Sequence, residues 1–251
     1  GERLLEALRP HVESEGVRRR LGTLDPAEAR HKIYASTRTT PEFAQTRESS
    51  DRWGNGLVHA DARDPAKKLE YMDEFGIEYS VLTPGLNLGL ASVSHDQTAV
   101  EIAGAYNAWM AETFHGVSDR LRSTVLVANQ KPDRAAEEID RWADEDDVVG
   151  VQLPASGLVP PAGHSWYDPI YEAAEDRGLP IVMHSHDIQS AVTFPVQRRW
   201  AETFTESHAF TFPAEFMWHL ISLVCNGVPE RFPDLKWVLQ EPGFEWVPWM
   251  M

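Results

Sequence analysis

Cysteine is almost absent from this sequence: Cys225 is the only one in 251 residues. A single thiol can neither close a disulfide nor assemble a Cys-based zinc site, so no such framework holds the fold. Lysine is nearly as scarce, with Lys32, Lys67, Lys68, Lys131 and Lys236 among 23 basic side chains. Against 39 acidic residues these leave a formal net charge of −16. A surface of that sign repels phosphates, which argues against nucleic acid as a partner. A lysine-poor acidic surface suits either a halophile or an ordinary acidic protein. No apolar run approaches the roughly 20 residues of a membrane span, and no signal-peptide pattern opens the chain. A reducing, cytoplasmic setting without a membrane partner is the resulting expectation. A glycine-rich phosphate loop is missing too. "LTPGLNLGLA" holds Gly85 and Gly89 only, and no G-x-G-x-x-G or Walker pattern occurs. An open nucleotide-binding sheet is set aside on that ground.

What is present is a rhythm of helices and strands. The apolar fraction of 42% is compatible with a globular core, and the length suits one large domain such as an α/β barrel. Residues 1–62 are irregular, with a helix expected near Arg3–Glu13 and turn-rich stretches such as "SSDRWGNG". From Asp64 a unit repeats. "DPAKKLEYMDEFGIEYSVLTPG" has an aspartate cap, a helix with Leu69, Met72 and Phe75 on one face, a stop at Gly76 and an apolar strand. Four more helix-strand pairs follow, the last opening with the helix "PAEFMWHLISLVCNG". Its apolar residues Phe216, Leu220, Leu223 and Val224 are expected to pack on the outside of the sheet. Strands are expected near 79–83, 123–128, 149–153, 180–184 and 236–240. Such alternation implies a parallel sheet, open or closed into a barrel. A barrel carries chemically capable residues at the C-terminal ends of its strands. Those ends read Thr83, Asn129 with Gln130, Gln152, His184 with His186, and Gln240 with Glu241. A loop entering water would also be polar, so this pattern alone decides nothing.

Several segments together carry a family resemblance. They are "YMDEFGIEYSVLTP", "AYNAWMAETF" with "DRLRSTVLVANQKPDRAAEEIDR", "YDPIYEAAEDRGLPIVMHS" and "NGVPERFPDLKWVLQEPGFEWVPW". The last is the most specific: Gly227, Glu230, Arg231, Phe232, Pro233, Leu235 and the turn from Glu241 to Gly243 all fall in pattern. From about Asp64 onward the chain resembles the amidohydrolase-related family of metal-dependent barrels. The similar branch contains aminocarboxymuconate-semialdehyde decarboxylase and aromatic-acid decarboxylases. The resemblance implies an α/β fold, a TIM-type (β/α)8 barrel that is incomplete in these residues. Residues 1–62 would pack on a partial barrel of residues 63–251 as one domain overall. The family's first-strand Asp-x-His or His-x-His motif has no match; "PHV", "RHK" and "VHAD" lack its spacing and context. Nor is the family's eighth-strand aspartate present. The run ending at Met251 therefore leads us to expect further sequence carrying strands seven and eight.

The same resemblance assigns the site. His184 stands where the family places a metal-binding histidine at the end of its fifth strand. Neutral imidazole suits zinc or a similar divalent ion. Zinc is the first expectation for the cofactor, with manganese or iron as alternatives. His186 reads as a loop residue. Glu241 stands where relatives carry histidine or glutamate after the sixth strand, and could bind metal, orient a ligand or handle a proton. His208 and His219 are the further catalytic candidates. The remaining histidines, at 11, 31, 59, 95, 115 and 164, read as mostly solvated. Since neighbouring parallel strands lie about 4.8 Å apart, His184 and Glu241 should come within roughly 10 Å. Arg231 is expected to hold its turn by binding carboxylate or backbone oxygens. The implied enzyme is a metal-dependent hydrolase of a small, carboxylate-bearing organic substrate. The alternative is a non-oxidative decarboxylase of an aromatic or muconate-type acid. A non-catalytic barrel with a decayed metal site is the contrasting class. Self-association into a homo-oligomer is compatible with any of the three.

Overall fold

The computed structural model describes residues 8–18, 63–186 and 204–251. Its frame is five parallel strands: β1 (Ser80–Leu82), β2 (Leu121–Leu126), β3 (Val148–Pro154), β4 (Ile181–His184) and β5 (Trp237–Gln240). They lie side by side in chain order, β1-β2-β3-β4-β5, with every neighbouring pair parallel. A nucleotide-binding open sheet would reverse its order at the centre. This sheet does not, and a sequential parallel order is that of a barrel wall. α1 (Pro65–Phe75) precedes β1, and between the strands run α2 (Asp96–Phe114), α3 (Pro132–Trp142), α4 (Asp168–Asp176) and α5 (Phe204–Cys225). Two short helices follow, α6 (Val228–Arg231) and α7 (Val247–Met250). Among the described residues no helix is long and apolar enough to cross a membrane.

Local chemistry explains where these elements start and stop. Asp64 caps α1 by accepting from the Ala66 amide at 3.0 Å, Pro65 fills the first turn, and Gly76 ends the helix at φ 65°. The His95 ring accepts from the Thr98 amide at the start of α2. The strands of the middle are apolar on both faces because helices cover one face and the other turns toward the barrel interior. Val151, Leu153, Ile181 and Met183 are fully buried, packed with Ile139 of α3 and with Ile170 and Tyr171 of α4. A second cluster joins Leu121 and Leu126 to Ile102, Tyr106 and Met110 of α2. Leu8, Val12 and Val17 are buried in it. Asn107 ties α2 to β2 as a strand would: its amide donates to the Leu126 carbonyl at 2.9 Å and accepts from the Leu126 amide at 2.8 Å.

The structure corrects several expectations. Of the helix expected at Arg3–Glu13, the described part is helical at Leu8 and tightens into a 3-10 turn over Arg9–His11 that breaks at extended Val12. The rest of that helix, and residues 19–62, lie outside the described residues. Phe75 is exposed and stacks on Tyr71 at 4.6 Å between ring centres; only Met72 of the expected α1 face is fully buried. β2 begins at Leu121, two residues before the expected start at 123, because Leu121 and Arg122 pair with Ser80 and Val81 of β1. α5 begins at Phe204 and carries Pro213 inside it rather than at its first turn. On α5, Phe216 and Leu223 are buried and Leu220 packs beside them, but Val224 is exposed. Arg231 does hold its turn, donating to Asp168 at 2.8 Å and to the Asn226 carbonyl. Among the other histidines, His95 and His164 are exposed but cap a helix and a 3-10 turn. His11 pairs with Glu112 at 3.3 Å, and His115 meets the Ser123 hydroxyl at 2.9 Å.

Candidate active site

β4 and β5 are paired so that His184 lies opposite Gln240. One residue further on, Glu241 leaves the strand. Its Oε1 lies 3.9 Å from His184 Nε2, well inside the separation expected from strand spacing. The two side chains therefore lean together at the C-terminal rim of the sheet. A slip of one residue in either strand would have turned one of them away. The His184 Nδ1 meets the carbonyl of Ser185. A carbonyl can only accept, so Nδ1 is the nitrogen that donates here, and in the neutral ring the lone pair that could hold an ion then falls on Nε2. A nitrogen and a carboxylate oxygen at this separation can share one divalent ion at about 2.1 Å from each. Donor type and spacing thus fit a metal. Among the described residues no group of three or more metal-ligating side chains forms.

Glu241 is bent into place. Its φ of 59° makes it the non-glycine residue with left-handed backbone among the described residues. Such a conformation costs a non-glycine residue on the order of 1 kcal/mol or more and persists where a side chain is needed. Glu241→Gly should therefore raise stability by about 0.5–1 kcal/mol while removing the carboxylate from His184. Urea unfolding checks this, and a lower midpoint than wild type would show that the backbone at 241 carries no strain.

His208 lies on α5, not in a loop as its sequence context suggested. Its ring sits 4.1 Å from that of Phe212, and Phe212 is edge-on to His184 at 6.3 Å. His208 thus adjoins the pair through one aromatic side chain. His186 contributes its backbone, the amide donating to Ser156 Oγ at 2.6 Å.

His219 does not join the pair. It is 2% exposed, its Nδ1 accepts from the Ala162 amide at 3.3 Å, and its Nε2 meets the Ala155 carbonyl at 3.1 Å. Both nitrogens are taken by the loop after β3, which leaves neither for a substrate. The catalytic role expected for it gives way to a clamp between α5 and that loop. Burial pushes its pKa down to about 4 from 6.5. Between those values the unfolded chain binds a proton that the folded protein refuses. Stability is therefore full above pH 6.5 and falls as the pH drops toward 4, by up to about 3 kcal/mol. Denaturation midpoints across that range should decline in wild type and decline less in His219→Gln.

Sequence reading missed the most buried acid of the site. Glu215 of α5 is fully buried, and its Oε2 accepts from Ser156 Oγ at 2.6 Å and from Ser185 Oγ at 2.8 Å. Glutamate in a helix ordinarily reads as solvated. The signal was periodicity: Glu215, His219 and Ser222 recur every three or four residues in an apolar helix, so they share one face. That face grips residues 155–163, Ser222 Oγ accepting from the Gly163 amide at 3.0 Å.

Comparison with known proteins identifies the family and the fold. The Amidohydrolase family profile matches residues 15–251. Gamma-resorcylate decarboxylase from Polaromonas sp. is 26% identical over 198 residues, which cover 74% of this chain and 57% of that protein. The enzyme of the same name from Rhodococcus jostii is 25% identical over 194 residues, 73% of this chain and 57% of that one. The chain thus spans a little over half the length of these curated relatives. Among solved structures, 5-carboxyvanillate decarboxylase from Novosphingobium aromaticivorans superposes with a TM-score of 0.66 at 19% identity, covering 99% of this chain and 65% of that chain. A dihydroxybenzoic acid decarboxylase from Polaromonas sp., solved with manganese and 2-nitroresorcinol, gives 0.63 at 23% identity over 82% and 65%. At such identities the structures speak for the fold, a TIM-type barrel of which the five strands are part. With the profile running through both His184 and Glu241, the chain belongs to the amidohydrolase family.

Proposed function

We propose that the protein is a metal-dependent, non-oxidative decarboxylase of a hydroxylated aromatic acid. The observation that carries this reading is the convergence of His184 Nε2 and Glu241 Oε1 at the rim. The relatives that share this architecture are named as decarboxylases, which sets decarboxylation ahead of the hydrolysis first expected. His184 would hold the ion through Nε2. Manganese, named in a neighbour's structure, joins zinc as a candidate. When bound, such an ion supplies positive charge that orients a carboxylate and its neighbouring oxygen. Loss of carbon dioxide breaks the ring–carboxyl bond and leaves its electron pair on the ring carbon, which needs a proton. Glu241 is suited to deliver one. It faces the His184 nitrogen, and with its side chain 59% exposed it can regain the proton from solvent. His208, stacked on Phe212, would wall the aromatic ring. Residues 1–62 are taken as part of the same domain, which the burial of Leu8, Val12 and Val17 supports.

Calorimetric titration with manganese or zinc, followed by carbon dioxide release from 2,6-dihydroxybenzoate and 5-carboxyvanillate, tests the proposal. One ion bound and carbon dioxide evolved is the expected result. Lactone or amide cleavage without carbon dioxide would return the protein to the hydrolases. Absence of stoichiometric metal would make it a non-catalytic barrel.

A further inference from the structure

A buried carboxylate is costly to desolvate and persists where hydrogen bonds repay it. Glu215 repays it with two serines that follow different strands: Ser156 just beyond β3, and Ser185 just beyond β4. The second stands next to the metal-binding candidate. The peptide group between Ser185 and His186 is one rigid plane. Its carbonyl meets His184 Nδ1, and its N–H donates to Ser156 Oγ at 2.6 Å. Ser156 in turn donates to Glu215, and so does the Ser185 side chain. Rotating that plane would break the His184 contact and the Ser156 contact together. A single carboxylate oxygen thus fixes the plane from both of its sides.

We propose that Glu215 is a positioning residue for His184, locking the Ser185–His186 peptide so that the imidazole stays Nδ1-protonated with Nε2 presented to the ion. This deepens the metal-dependent reading above and rests on it for the identity of what Nε2 holds. In this proposal the carboxylate acts on His184 through two hydroxyls and one peptide plane. Sequence distance hid the arrangement, since its members come from β3, β4 and α5.

The test uses Glu215→Met, which removes the acceptor, and Glu215→Gln, which keeps one acceptor oxygen. Ser156→Ala cuts the path at its other end and guards against a Met variant that fails to fold. The first readout is long-range proton–nitrogen NMR of His184 in metal-free protein, at about pH 8 where imidazole is neutral. The wild type should show the Nδ1-H tautomer. Glu215→Met and Ser156→Ala should show a mixture, and Glu215→Gln should restore the wild-type form. The second readout is manganese affinity by calorimetry, expected to fall about 10-fold or more in the two severing variants. An unchanged tautomer and affinity, with only the melting temperature lowered, would overturn the proposal and leave the metal reading intact. A wild type lacking the Nδ1-H form would overturn it as well. A tautomer that follows the variants in a protein that binds no manganese would instead defeat the metal reading and leave the positioning role standing.

Discussion

His184→Ala is expected to abolish metal binding, lowering manganese affinity by at least about 100-fold, while the fold survives nearly unchanged. The imidazole sits at a strand end with its side chain 17% exposed, and its ring contact among the described aromatics is the edge of Phe212. Its removal opens onto the rim and leaves no sealed cavity, so the stability cost should stay within about 1 kcal/mol. Losing the nitrogen removes the ligand proposed for the ion, since Glu241 is kept for the proton. Carbon dioxide release should disappear with the metal. Calorimetry beside urea unfolding separates the two effects. Wild-type affinity in this variant would show that the ion, if any, sits elsewhere. A collapse of stability would show that His184 is a structural residue.

That histidine was legible in the sequence because a strand ended on it. The run "LPIVMHS" is apolar over a strand's length and stops at polar residues. Parallel strands buried on both faces leave this mark. The pairing of His184 with Glu241 was legible for the same reason, since strand order and register convert a distance along the chain into a distance in space. β2 was harder. Leu121 and Arg122 open the strand ahead of the expected start at residue 123. Their place in it is set by the ladder to β1, which local hydrophobicity does not encode.

The face of α5 was harder still. Pro213 looked like a first-turn proline, the position where its missing N–H costs nothing. The helix instead runs through it. Its polar residues read as an acid in solvent and a histidine in a pocket. Only their partners give them meaning, and those lie 57 to 64 residues away in the loop after β3, with Ser185 after β4 at 30. A role made of tertiary hydrogen bonds leaves no local trace beyond spacing.

The same loop carries the largest expected loss of stability, in Gly163→Ala. A Cβ built at Gly163 would fall 1.9 Å from the Ser222 carbonyl oxygen and 2.2 Å from its carbon. Both are backbone atoms of α5, so no side chain can swing aside. The oxygen is held in addition by the Asn226 amide at 3.1 Å and the Asn226 side chain at 2.8 Å. Glycine is required here for close approach of two backbones. Alanine must push helix and loop apart, which also stretches the Gly163–Ser222 bond and the His219 clamp beside it. Overpacking in a core ordinarily costs 1–3 kcal/mol; with no flexible neighbour, about 3 kcal/mol or more is expected, a large share of a domain's 5–15 kcal/mol. Gly116→Ala is the control. Gly116 has φ 71° but nothing within 4 Å of the added carbon, so it should lose only about 1 kcal/mol from backbone conformation. Urea unfolding of both variants reads the difference. If Gly163→Ala loses no more than Gly116→Ala, the helix and the loop do not meet as closely as described, and the clamp that orders the strand ends loses its footing.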